Sequence, residues 1–169
     1  MVKRRIEFVN SIFLAVDEKS YQHLHSKGYG HKVGDLFEFD VLEALYLVEK
    51  GKIEVYTGQN KKLEFGEIIK KKKVNINTYL VYKNLKKNDY NVRSGLKYGV
   101  VFRIYGKGVN VGDEHSQWLV DIYEEKDKLS LKDFLAKTRI ANTTKKKVLI
   151  AVIDNERNIT YIESIWKRV

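Results

Sequence analysis

The 169-residue chain contains no cysteine, no proline and a single methionine, and it is short of acid, with 22 Asp and Glu against 32 Lys and Arg. Without cysteine it has neither a disulfide framework nor a thiolate metal site. The absence of proline carries no functional inference. No apolar run approaches the ~20 residues of a membrane-spanning helix, and no apolar leader precedes a small-residue cleavage site. A soluble, cytoplasmic protein with no membrane partner is therefore expected. The formal charge of +10 is uneven: residues 1–80 carry 14 basic against 11 acidic side chains, and residues 81–169 carry 18 against 11. The C-terminal half is the one expected to face a polyanion, although lysine excess alone also serves solubility.

At this length the chain can hold one ordinary domain or two small ones, and the pattern favours two. Residues 5–8 and 12–16 read as strands. After a stretch containing glycine and histidine, Asp40 with Glu43 forms a capping-box pattern, and Val41, Ala44, Leu45 and Val48 make one helical stripe that Gly51 ends. A strand over 53–56, a turn over 57–60 and a helix over 64–72 follow, with Lys70 to Lys73 reading as a solvated helix end. A helix over 76–88 carries Tyr79, Leu80, Tyr82 and Leu85, and the domain boundary is set just before it, at 75/76. Beyond it come strands over 91–93, 99–105 and 117–123, a helix over 130–141 with Leu131, Phe134, Leu135 and Thr138 inward, and strands over 147–154 and 159–166. The apolar run Val148 to Ile153 reads as a strand buried on both faces. The expected fold is mixed α+β and α/β: a small N-terminal α+β domain over 1–75, then a C-terminal domain over 76–169 with a mixed central sheet flanked by helices.

Three residues in the second domain carry chemistry. Tyr105 ends a strand-like run, His115 follows ten residues later within Gly112-Asp113-Glu114-His115-Ser116, and Lys146 stands where a basic cluster meets the apolar strand. A phenol, an imidazole and an ammonium suffice to cut RNA, because the substrate brings its own nucleophile, the ribose 2′-hydroxyl. One group takes that proton, one protonates the departing 5′-oxygen, and a fixed cation faces the charge growing on the phosphorane. Histidine as a residue type titrates near 6.5 and so supplies both forms near neutrality. Tyrosine, near 10, is a poor base until an adjacent ammonium favours the phenolate. Taken singly, the three read as a strand-end aromatic, a loop histidine and a surface lysine.

The order Gly95-Leu96-Lys97-Tyr98-Gly99, Phe102-Arg103-Ile104-Tyr105, Glu114-His115-Ser116 and Lys145-Lys146-Lys147 resembles the archaeal tRNA-splicing endonucleases, and Val41 to Leu47 resembles a helix of their N-terminal part. The resemblance spans nearly the whole chain. It implies a nuclease C-terminal domain in which Tyr105 is general base, His115 general acid and Lys146 the transition-state cation, the last chosen because it falls at the family's spacing. It implies cleavage of precursor tRNA at a bulge-helix-bulge element by metal-independent transesterification, leaving 2′,3′-cyclic phosphate and 5′-hydroxyl ends, with no cofactor. It also implies base clamps at Arg139 and Trp166, whose planes would stack on flipped bases, and a phosphate contact at Ser116. Relatives of this length work as homotetramers or as heterotetramers with a structural subunit. The family's acidic assembly loop corresponds here to Asp154-Asn155-Glu156-Arg157-Asn158, which holds only two acids and an arginine.

Competing readings are a non-catalytic RNA-binding or assembly subunit, a metal-dependent nuclease and a basic domain of another role. Asp113, Glu114 and Asp121 do not make a convincing pair of metal ligands. His23, His25 and His31 read as surface histidines rather than a metal site, and the glycines at 28, 30 and 34 lack the context of a phosphate loop.

Overall fold

The computed structural model describes residues 3–108 and 115–167. Backbone contacts divide the chain into two units, one running to Ile76 and the other beginning at Asn77.

The first unit is a six-stranded sheet with helices. Its strands are β1 (Arg4–Val9), β2 (Ile12–Ala15), β3 (His31–Val33), β4 (Leu36–Phe39), β5 (Ile53–Thr57) and β6 (Lys62–Leu63), in the order β3-β4-β2-β1-β5-β6. Strand β1 is antiparallel to β2 and parallel to β5. The stretch before Asp40, which shows no clear periodicity in sequence, holds α1 (Glu18–His25) and the short β3 and β4. His25 is taken up by Tyr21, whose hydroxyl lies 3.0 Å from Nδ1. Helix α2 (Val41–Glu49) starts at the expected capping box: Asp40 accepts from the Leu42 amide, and the Glu43 carboxylate accepts from the amides of Asp40 and Gly30. That satisfies a carboxylate only 1% exposed. The stripe is broader than the periodicity implies, for α2 buries every residue from Leu42 to Leu47 while Val41 and Val48 are only half-buried. Helix α3 (Phe65–Lys72) ends in the expected basic turn, with Lys73 in the left-handed region at φ 48°.

The second unit takes all but the first residue of α4 (Ile76–Lys87) and builds a five-stranded sheet from β7 (Tyr90–Ser94), β8 (Phe102–Lys107), β9 (Trp118–Glu124), β10 (Lys147–Ile153) and β11 (Ile159–Ser164), in the order β11-β10-β9-β8-β7. Strands β9 and β10 run parallel, joined through α5 (Leu131–Thr143); the other pairs are antiparallel. A parallel pair needs such a crossover, and its helix covers one sheet face. Val100, Leu119, Ala141, Val148 and Ile150 form the core beneath it. Both domains are thus mixed α and β, as expected from the pattern.

Two local expectations are corrected. Strand β8 begins at Phe102 rather than at 99, because residues 96–98 form a 3₁₀ turn closed by Gly99 at φ 71°. In α5, Leu131 is 73% and Leu135 43% exposed, while Phe134, Lys137, Thr138 and Ala141 face the sheet. The helix is rotated because Lys137 reaches inward to a buried carboxylate, Asp121.

Candidate active site

Three strands meet at one end of the second sheet. The Gln117 amide donates to the Ile104 carbonyl at 2.9 Å, the Lys147 amide to the Gln117 carbonyl at 2.9 Å, and the Lys146 amide to Ala141 at 2.7 Å. The register pairs Ile104 and Lys147 with Trp118 from either side. The next row along is therefore Tyr105, Gln117 and Lys146. Because side chains alternate across a strand, this row faces the same way as Arg103, Leu119 and Val148, toward α5. The backbones of Tyr105 and Lys146 stand two interstrand spacings apart, roughly 10 Å. His115, two residues before Gln117, is exposed at the same end. The residues before it in its motif, Gly112 to Glu114, lie outside the described residues, as does the Asp113 and Glu114 part of the metal reading.

Tyr105 does not end its strand; β8 continues to Lys107, and Tyr105 is 4% exposed. The cation over its ring is the Arg103 guanidinium, 5.9 Å from the centroid. Lys146 lies instead against Tyr98, with Nζ 5.6 Å from that ring, while Lys97 Nζ stands 5.0 Å from it. Burial pushes the Tyr98 phenol up, but the hydrogen bond from Lys97 and the charges of Lys146, Lys97 and Arg103 outweigh it and hold the group below the usual tyrosine value. Lys146 Nζ donates to the Thr144 carbonyl at 2.9 Å. Among the described residues no carboxylate pairs with Lys97, Arg103 or Lys146.

The three adjacent lysines thus have different fates. Lys145 is exposed, in the left-handed region at φ 55°. Lys147 projects to the opposite face, where Glu163 takes its ammonium at 3.0 Å and the Trp118 indole N–H at 2.6 Å. Both bonds hold the Glu163 carboxyl below its usual value, the indole's first. Only Lys146 joins the aromatic cluster on the α5 face.

Beside Tyr98, between the 3₁₀ turn and α5, lies a cavity of about 330 Å³ lined in part by Tyr123, Lys128, Ser130, Lys137 and Ile140. Its polar floor is already satisfied: Lys137 pairs with Asp121 and donates to the Tyr123 hydroxyl at 3.1 Å, and that hydroxyl donates to Asp121 at 2.8 Å. Burial pushes the Lys137 ammonium down, but these two partners outweigh it and hold it above its usual value.

The other sequence-derived contacts are dispersed. Arg139 is exposed on the last turns of α5. Trp166 is half-buried, two residues past the end of β11. Ser116 is only 4% exposed, so a phosphate cannot reach it as the side chains stand. Sequence reasoning missed Tyr98 and Arg103 as members of the cluster, although the glycines flanking Tyr98 and the alternation of Arg103 with Tyr105 were signals for both. Among the described residues no group of three or more His, Asp or Glu stands close enough to hold a metal ion, and no helix is long and apolar enough to cross a membrane.

Comparison with known proteins agrees with the fold. The family model described as tRNA intron endonuclease, catalytic C-terminal domain, matches residues 75–161, and that of the N-terminal domain matches residues 5–69. The chain is similar to the tRNA-splicing endonuclease of Thermococcus kodakarensis, with 39% identity over 158 residues, 90% of this chain and 91% of the relative. It is 38% identical over 156 residues to that of Pyrococcus furiosus, 89% of each chain. The Methanothermobacter thermautotrophicus protein of the same name is 35% identical over 150 residues, 87% of this chain and 88% of its own.

Proposed function

Because the chain belongs to the tRNA intron endonuclease family in both its N-terminal and its catalytic domain, we propose that it excises introns from precursor tRNA at a bulge-helix-bulge element, without a metal ion or other cofactor. Tyr105 takes the 2′-hydroxyl proton, the oxygen attacks the adjacent phosphorus, and His115 protonates the leaving 5′-oxygen. The products are a 2′,3′-cyclic phosphate and a 5′-hydroxyl. Lys146 faces the dianionic phosphorane, where a fixed charge stabilises the transition state more than the ground state. Arg139 and Trp166 clamp unpaired bases at the rim.

The observation that carries this reading is the placement of Lys146: of three consecutive lysines it alone turns to the sheet face shared with Tyr105, and no carboxylate among the described residues neutralises it. Tyr105 is buried, so side chains over it must shift before a phosphate reaches its hydroxyl. That burial is also the one observation favouring a non-catalytic assembly subunit. One assay separates the two: cleavage of a bulged RNA in excess chelator by the parent, His115→Ala and Lys146→Ala proteins. The endonuclease reading expects cutting by the parent and rates lowered roughly 10²–10⁴-fold in the variants. A folded parent chain that binds the RNA and leaves it intact, alone and in its assembled form, favours the subunit.

Two bulges call for two active sites at a fixed separation, so the functional unit is an oligomer, a homotetramer or a heterotetramer with a structural subunit.

A further inference from the structure

Lys97 is exposed, and Arg103 is the half-buried cation of this cluster that no proposed role uses. It stands two residues before Tyr105 on β8 and therefore on the same face, in the row Arg103, Leu119, Val148 next to the row Tyr105, Gln117, Lys146. Two residues of strand span about 7 Å, comparable to one phosphate-to-phosphate step along an RNA strand. Arg103 is half-buried with its guanidinium 5.9 Å from the Tyr105 ring centroid, and its Nε is buried with no hydrogen-bond partner among the described residues. Half-buried cations normally have an acid beside them, since desolvation is costly. Here the charges of Lys97, Arg103 and Lys146 all bear on Tyr98, and none of the three pairs with a carboxylate among the described residues; Asp133 lines the cavity beside Tyr98 but pairs with none of them. Such mutual repulsion is relieved when an anion enters. The neighbouring cavity makes a weaker anion site, because Lys137 is already occupied by Asp121 and Tyr123.

We propose that Arg103 binds a second, non-scissile phosphate, the one adjoining the bond cut at the Tyr105–Lys146 row, with Tyr98 forming the wall of that subsite. This rests on the RNA-cleaving reading above. The guanidinium fork suits a phosphate better than an ammonium does, so Arg103 fixes the register of the strand and presents the correct phosphorus to the three reacting groups. It is a substrate-binding residue rather than an acid or base.

The test is a charge-deletion cycle. Bulged RNAs carry a neutral methylphosphonate at the phosphate on either side of the scissile one, and the nucleotide directly 5′ to that methylphosphonate, which is never the one whose 2′-hydroxyl attacks, carries 2′-O-methyl in both modified and control substrates. Single-turnover cleavage is compared for the parent, Arg103→Lys and Arg103→Gln, with thermal melting to verify folding. The parent should lose roughly tenfold or more at one of the two positions, the size of a charge-assisted phosphate contact. Arg103→Lys should show a smaller penalty and Arg103→Gln none, and should Arg103→Gln fail to fold, the Lys variant alone decides. A penalty in Arg103→Gln equal to the parent's, equal penalties in the parent and in Arg103→Lys where the Gln variant does not fold, or no penalty in the parent at either position, would overturn the inference while leaving the endonuclease reading standing. A parent that fails to cut unmodified RNA overturns both.

Discussion

At the scale of single residues, the separate fates of neighbouring lysines make the sharpest expectations. Lys146→Ala should lower RNA cleavage by about 10²–10³ with little change in stability. Lys147→Ala removes an exposed pair with Glu163, worth less than about 1 kcal/mol, and should leave cleavage nearly unchanged; rates and denaturation midpoints of the two variants check the contrast. The spacing in the sequence named Lys146, but only the alternation of side chains on β10 shows why its neighbours differ. Tyr98 was not legible as an electrostatic centre, because Lys97 is adjacent in sequence whereas Arg103 comes from β8 and Lys146 from the residue before β10. In a spectrophotometric titration Tyr98 should ionise before an ordinary tyrosine, and Lys146→Ala should move that step to higher pH. A phenol whose folded-state pKa is depressed stabilises the fold fully above the unfolded value of about 10, and loses that contribution as pH falls through the folded value, so near neutrality Tyr98 contributes nothing pH-dependent to stability.

At the scale of elements, the 3₁₀ turn and α5 set the walls of the site. A Cβ on Gly95 would meet the Phe102 carbonyl carbon and oxygen and Val100 Cγ2, each at 2.7 Å. Since two of these are backbone atoms, Gly95→Ala should cost about 1–3 kcal/mol and displace Tyr98; chemical denaturation reads the first effect, and the phenol titration the second. Helix α5 is pinned by Lys137 on Asp121. Lys137→Met leaves a carboxylate that is 7% exposed without its cation and should cost about 3 kcal/mol. Caps were the most legible features of the chain: Asp40 with Glu43 opens α2 through its side chains, and Gly51 follows it in the left-handed region at φ 62°. Rotation of α5 was not legible, since a count of apolar residues favours Leu131 and Leu135 and cannot weigh an inward lysine against a buried aspartate. The start of β8 was missed for a similar reason: Gly99 to Val101 are apolar enough for a strand, yet the turn places them beside it.

For the whole molecule, the alternation of strands and helices was sufficient to foresee two mixed α and β domains, and the order of motifs was sufficient to foresee the family. Assembly is the part that sequence conveys least. The turn joining β10 to β11 uses its own acid, for Asp154 accepts from the amides of Glu156 and Asn158 and from the Asn158 side chain. That internal use, which holds its carboxyl below the usual value through the Asn158 bonds first, leaves Glu156 as the acid of the turn best able to reach a neighbouring chain. Sedimentation of the pure chain should show an oligomer, and Glu156→Lys should weaken it; a monomer at all concentrations would point to a required partner chain. The central claim is that the substrate supplies the nucleophile and three side chains at one sheet end supply the rest. Its most direct measurement is cleavage, in excess chelator, of a bulged RNA whose only change is deoxyribose at the residue before the cut. The account predicts that this RNA stays whole while its all-ribose twin is cut to a 2′,3′-cyclic phosphate; severing of the deoxy substrate at the same bond would contradict it.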